Sequence, residues 1–211
     1  MKTQELVHLL VNDPLPSKPA AWQLPLAVTV TLALTLAMVV WGWGLHAEWP
    51  QLLTSAPFQV KTLWLLALAW SSSVLLWRLA RPAQQIGHSL HGLGVALLAM
   101  VVLGVVALWQ AEPVDRLPLL IGRSWWSCPL SIALIALPWL AVGLLYLRQM
   151  APTRLVWSGA CAGFLAGAVG TALYSLHCSE TSYAFFSVWY LVGIGLSTLL
   201  GAVLGPRWLR W

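Results

Sequence analysis

Apolar positions along the chain fall in six long runs, approximately 24–43, 62–80, 92–109, 129–147, 156–176 and 185–204, with short polar segments between them. A helix that crosses a bilayer needs about 20 mostly apolar residues, so each run predicts one span. The fold class expected is all-α: a polytopic membrane protein, a bundle of six transmembrane helices occupying residues 23–211. Residues 1–22 are left as an N-terminal tail, and no stretch remains for a separate soluble core. The first run is too long for a signal-peptide core and lacks a clear A-x-A-like exit, so it is read as an uncleaved span.

Composition agrees: 60% of the 211 residues are hydrophobic and 8% are charged, against roughly 25% charged in ordinary soluble domains. Charge adds an orientation, because short loops rich in Lys and Arg stay in the cytoplasm. With the N-terminus inside, the inner segments hold Lys2, Lys18, Arg78, Arg81, Arg148, Arg154, Arg207 and Arg210, and the outer loops hold only Lys61, Arg116 and Arg123. Glu48, Glu112, Asp115 and Glu180 fall outside. Both termini are therefore expected in the cytoplasm. The net charge of +5 is a topology signal and does not suggest direct nucleic-acid binding, since no basic face remains once the loops are assigned to sides. Trp22, Trp41, Trp43, Trp49, Trp109, Trp125, Trp126, Trp208 and Trp211 lie at or near predicted span ends, where an amphipathic ring prefers the interface.

Most signals of chemistry are missing. Ion channels and pumps need ionisable residues in mid-membrane, and the six runs contain almost none. Thr29, Thr31, Thr35 and Ser71 to Ser73 are expected to satisfy backbone carbonyls. His88 and His91 share a face at the inner start of span three and His46 and His177 lie in or beside outer loops, so no pair lies at a common depth within the core for a bis-histidine haem, and no C-x-x-C marks a disulfide-transfer enzyme. Neither catalysis nor a resident cofactor is expected. Gly159, Gly163 and Gly167 recur every four residues, and Gly201 and Gly205 repeat the spacing in the last run. Small residues so placed let helices approach closely in lipid, so these glycines are expected to build a tight bundle, with a dimer contact or a pore lining as alternatives.

What remains is a polar cysteine segment on each of two outer loops. GRSWWSCP places Cys128 at the entrance to span four, and SLHCSETSY places His177, Cys178 and Glu180 between spans five and six. Cys161 lies 17 residues before Cys178, roughly 25 Å away along one helix, and is assigned to packing. Two thiols facing an oxidising compartment can form a disulfide. It could be a permanent staple, worth roughly 4 kcal/mol on the chain-entropy model. It could equally be a switch, with His177 activating a neighbouring thiol. Cys128, Cys178, His177 and Glu180 together also offer ligands for a transient thiophilic metal. Spacing does not decide among these.

The segments SWWSCPLSIALIALP and SLHCSETSYAFFSVWYLVGIG, the small-residue helix AGFLAGAVGTALYSLHC and the closing LGPRWLRW resemble the NrsF family, negative regulators of sigma F, bacterial six-span membrane anti-sigma factors. The resemblance covers essentially the whole chain. It implies inhibition, at the bacterial inner membrane, of an extracytoplasmic-function (ECF) sigma factor that is released under heavy-metal or oxidative stress, and it maps the family's paired periplasmic cysteines onto Cys128 and Cys178. The tail offers a means of contact. TQELVHLLV can form a short amphipathic helix with Leu6, Leu9 and Leu10 along one side, stopped by Asn12-Asp13-Pro14 and followed by a proline-rich tether. Such anchors suit docking into a partner groove, or equally a helix lying on membrane lipid or an unstructured tail. The alternative function is a small membrane transporter or thiol redox enzyme that uses the outer thiols on a substrate.

Overall fold

The computed structural model describes residues 22–44, 54–81, 87–178 and 180–210, with the side chains of 87–89 excepted. The described residues are helical, with no strand. Five long helices, α1 (Gln23–Gly42), α2 (Ala56–Leu79), α3 (Gly87–Gln110), α5 (Ser127–Met150) and α6 (Leu155–Tyr174), are joined by a sixth, α7, that runs from Tyr183 to Trp208. Six described helices are long and apolar enough to cross a membrane. A short helix, α4 (Arg116–Ile121), lies between α3 and α5. Leu6, Leu9 and Leu10 of the tail fall outside the described residues.

The helices are apolar on nearly every side, as expected of elements that meet protein on one face and lipid on the other. Packing decides their order. α6 is the most enclosed, with 56% of its spanning window buried against 11% for α3. It contacts α7, α5 and α2, and α1 and α3 lie at the periphery. Several hydroxyls inside the spans return to their own helices: Thr35 Oγ1 donates to the Thr31 carbonyl at 2.7 Å and Ser72 Oγ to that of Leu68 at 2.7 Å, and Thr29 and Ser73 do the same. This is the role the sequence suggested for them.

The seam between α6 and α7 is made of backbone. A Cβ placed at Gly163 would fall on the Ser197 carbonyl, and one at Gly159 or Gly201 would fall on the other's carbonyl oxygen. Gly167 meets Ile194 Cα, and Gly205 faces Gly159. Both glycine series are therefore spent on one contact inside the chain. With no hydrophobic drive between helices in lipid, such close approach supplies the van der Waals contact that holds them.

One expectation changes. α2 begins at Ala56, not at 62, with Pro57 in its first turn, where a missing N–H costs nothing. Lys61 is therefore not a loop residue. It stands inside a spanning helix about 7.5 Å from its start at 1.5 Å per residue, and it is 2% exposed.

Candidate functional site

The connections at one end of the bundle converge on a buried cluster that includes Cys128, Cys178, Trp64, Phe185, Phe186 and Tyr190. This thiol end is formed by the starts of α2, α5 and α7 and the ends of α1, α3 and α6. Cys128 is the second residue of α5, and Cys178 follows the last turn of α6. Fifty positions apart in sequence, the two thiols are brought into one core. Both are free, and both are buried, at 0% and 5% exposure.

Lys61 joins them there. Its Nζ lies 4.8 Å from the centre of the Phe186 ring, 5.1 Å from Phe58 and 5.9 Å from Tyr190. It is within coulombic range of both Cys178 and Cys128. No described carboxylate pairs with it. A cation over an aromatic face gains about 2 kcal/mol at best when desolvated, whereas burying an ion costs several. The rings therefore offset only part of the burial.

Local structure explains how two rings reach one ammonium. Residues Phe186–Tyr190 form a π-helical turn at the start of α7, and Phe186 and Tyr190 stack with centroids 5.0 Å apart. Such turns are rare and recur at functional sites. The Tyr190 hydroxyl is fully buried, has no hydrogen-bond partner among the described residues, and lies within reach of Cys178.

A cover closes this end. Ser182 Oγ donates to the Leu119 carbonyl at 2.9 Å, and Trp189 Nε1 donates to that of Leu120 at 2.8 Å. The Arg123 N–H donates to Glu180 Oε1 at 2.8 Å. α4 and the loop after it are thus tied across to the α6–α7 connection. Gly122 makes the turn with φ +59°, where a Cβ would strike the Phe185 ring; a side chain would be strained there in backbone and blocked in space.

His177 and Glu180 are directed away from a shared donor set. His177 Nδ1 lies 3.0 Å from the Gly44 carbonyl after α1, an acceptor that requires Nδ1 to carry its proton. Its ring packs at 5.8 Å from that of Tyr174, and Glu180 serves the cover. Among the described residues no group of three or more His, Cys, Asp or Glu is arranged to hold a metal. Cys161 lies away from this end on α6, buried, with Sγ 3.5 Å from the Ser72 carbonyl.

Sequence reasoning missed Lys61, Phe186 and Tyr190. The signal was available in part: a lysine five residues after Ala56, with no acidic residue on the same helix, is unusual in so apolar a segment.

The chain matches the family described as negative regulator of sigma F, NrsF, over residues 10–211. It is 38% identical over 154 residues to the probable anti-sigma-F factor NrsF of Azospira oryzae, covering 73% of this chain and 72% of that protein. It is 32% identical over 217 aligned positions to the anti-sigma-F factor NrsF of Caulobacter vibrioides, covering the whole of both. No solved structure matches it. With the family match spanning all six helices and both cysteine segments, the chain belongs to the NrsF family.

Proposed function

We propose that this protein is a membrane-held anti-sigma factor that sequesters an ECF sigma factor at the cytoplasmic face of a bacterial inner membrane and releases it when Cys128 and Cys178 are oxidised. The family and its two curated relatives support the anti-sigma role. The observation that carries the sensing role is the presence of Cys128 and Cys178, not bonded to each other, in one buried cluster under a cover. The proposed orientation puts the thiol end in the periplasm and both termini in the cytoplasm, as the basic residues favour.

The chemistry balances with hydrogen peroxide as oxidant, the departing hydroxide taking up the proton that the first thiol gave up. One thiolate attacks the peroxide oxygen, the O–O bond breaks, and a sulfenic acid and one water are left. The second thiol attacks that sulfur and a second water departs, so two S–H groups and one peroxide become a disulfide and two waters. The disulfide would tie the start of α5 to the end of α6. Repacking there reaches sigma only if sigma prefers one of the two packings. Leu6, Leu9 and Leu10 are the proposed contacts.

The test is a sigma-dependent reporter read beside membrane-protein abundance, with peroxide as inducer and a thiophilic metal ion as a second class of thiol reagent. Retained repression at rest and induction by either agent is expected. Leu6, Leu9 and Leu10 changed together to Ser should give a constantly active reporter with normal insertion; unchanged repression would remove the tail from the contact. For orientation, Val114→Cys, at a position 82% exposed, in a cysteine-free background should react with a membrane-impermeant reagent in cells stripped of the outer membrane. Reaction only after the inner membrane is opened would reverse the topology.

A further inference from the structure

Two buried hydrogen-bond donors, Lys61 Nζ and Tyr190 Oη, meet at the thiol end. Lys61 is 2% exposed and Tyr190 fully buried; the Tyr190 hydroxyl has no hydrogen-bond partner among the described residues, and Lys61 Nζ lies over the rings of Phe58, Phe186 and Tyr190. Buried polar groups are ordinarily satisfied, and a buried cation ordinarily has an anion. Both donors lie beside the same pair of sulfurs: Phe186 and Tyr190, whose rings Lys61 Nζ faces at 4.8 and 5.9 Å, pack in one buried cluster with Cys128 and Cys178. A thiolate there would meet both the cation and the unpartnered hydroxyl.

We propose that Lys61 is the internal counter-charge of the thiol pair, holding one sulfur as a thiolate that Tyr190 also contacts, and so setting how readily the pair reacts with an oxidant. The inference rests on reading the pair as the sensing group. It assigns to the ammonium a positioning role: it does not touch the oxidant, and it acts through the sulfur. A neutral thiol buried at 0% or 5% exposure is a poor nucleophile, because the thiolate is the reactive form and apolar burial disfavours it. The aromatic cage keeps the ammonium in place without competing for it, since ring faces attract the cation but cannot take its proton.

The other groups facing the pair come from each packed element. Tyr174 stands at the end of α6, and Glu180, in the connection that follows, accepts from the Arg123 N–H. His177 is turned to Gly44. α3 carries His91 near its opposite end, and His46 and Glu48 lie in the α1–α2 segment outside the described residues. Lys61 is the basic group in coulombic range of both thiols.

The experiment uses the full chain in lipid nanodiscs, in a Cys161→Ser background so that two thiols remain. The rate of modification by methyl methanethiosulfonate is followed against pH, and disulfide formation is followed with hydrogen peroxide. Lys61→Met keeps the apolar stem, and the sulfur left without its counter-charge can take up a proton instead of remaining a buried ion. It should move the midpoint of the pH profile up by about one unit and slow both reactions about tenfold at neutral pH. At high pH the wild-type ammonium is itself neutral, so the two profiles should converge. Lys61→Arg should keep the wild-type midpoint, and Tyr190→Phe should move it less than Lys61→Met.

A wild-type midpoint in Lys61→Met, or a profile lowered at every pH without displacement, would overturn the assignment and leave Lys61 a packing residue. Loss of reactivity in Lys61→Met that Lys61→Arg does not restore has the same meaning. Failure of the wild type itself to form a Cys128–Cys178 disulfide would overturn the reading of the pair as a redox sensor, and the inference with it. The two failures are thus distinguishable.

Discussion

α6 and α7 meet in two ways, and the contrast separates what holds the bundle from what can change within it. Along the glycine seam, carbonyls and Cα atoms of Gly159, Gly163, Gly201 and Gly205 press directly on one another. At the thiol end the contacts are made by side chains instead: Phe185, Phe186, Tyr190 and two sulfurs in one buried cluster, with a lysine over the rings. Backbone contact has no rotamers to exchange, so the seam is either made or lost. Side-chain contact around a π-helical turn has several ways to repack. The lesson is that a six-span bundle can carry a rigid seam and an adjustable end on one pair of helices.

The sharpest way to break this contrast is to fill the seam. A side chain at Gly163 would have to displace the Ser197 carbonyl and Thr198 Cα, and overpacking of well-packed interiors typically costs about 1–3 kcal/mol, more where backbone must move. Gly163→Leu should leave little protein in the membrane. Gly195, on the same span as Ser197, has nothing within 4 Å of an added Cβ; Gly195→Ala should accumulate normally. Equal abundance of the two variants by immunoblot would mean that the seam is not what holds α6 to α7.

Next in size is the loss of signal at the adjustable end. If the thiols sense by bonding to each other, Cys128→Ser, Cys178→Ser and the double variant should be alike: normal abundance, repression at rest, and no induction by peroxide. A structural staple predicts instead lowered abundance and a reporter active without stress, because a cross-link worth a few kcal/mol would be gone. Both thiols are free and buried in the folded chain, which favours the first outcome. Full induction in both single variants would end the sensing hypothesis.

The contrast was only half legible in the sequence. The six spans and the seam could be read because each rests on a local pattern: about twenty apolar residues in a row, or glycine every fourth position. The thiol end could not. Lys61 looked like the close of a loop, since a lysine counts against any apolar window, and only the start of α2 at Ala56 shows it to be enclosed. The π-helical turn leaves no trace in the order FFSVWY, whose residues suit an ordinary helix as well. α4, at RLPLLI, is six residues long, too short for a periodic pattern, and it is fixed by bonds from Ser182 and Trp189 to its carbonyls rather than by its own sequence. Cys128 and Cys178 were visible as chemistry, but their meeting is a tertiary fact.

A smaller effect is expected where the cover is fastened. Glu180→Ala removes the acceptor of the Arg123 N–H, a loss of about 1–3 kcal/mol for such a bond, and Glu180→Gln keeps an oxygen in its place. In Glu180→Ala the cover should loosen, and Cys128 should react faster with a small thiol reagent than in Glu180→Gln or the wild type. Equal rates in all three would show that the cover does not limit access to the pair.

The smallest effect is expected at the third cysteine, which tests whether burial alone makes a thiol matter. Cys161 is as enclosed as Cys178, at 6% against 5% exposure, and it lies on the same helix that leads to it. Its surroundings differ: the sulfur is in hydrogen-bond distance of the Ser72 carbonyl at 3.5 Å, and its neighbours in the core are Leu75, Leu140, Leu144 and Ala162. No ammonium and no second described thiol share its cluster. A thiol there is a small apolar filler, so Cys161→Ala removes one sulfur and a weak donor, a change of about 1 kcal/mol. Abundance should fall slightly or not at all, and induction by peroxide should stay at the wild-type level. If Cys161→Ala abolished induction while leaving abundance intact, sensing could not belong to the thiol end alone, and the division between a rigid half and an adjustable end would have to be redrawn along α6.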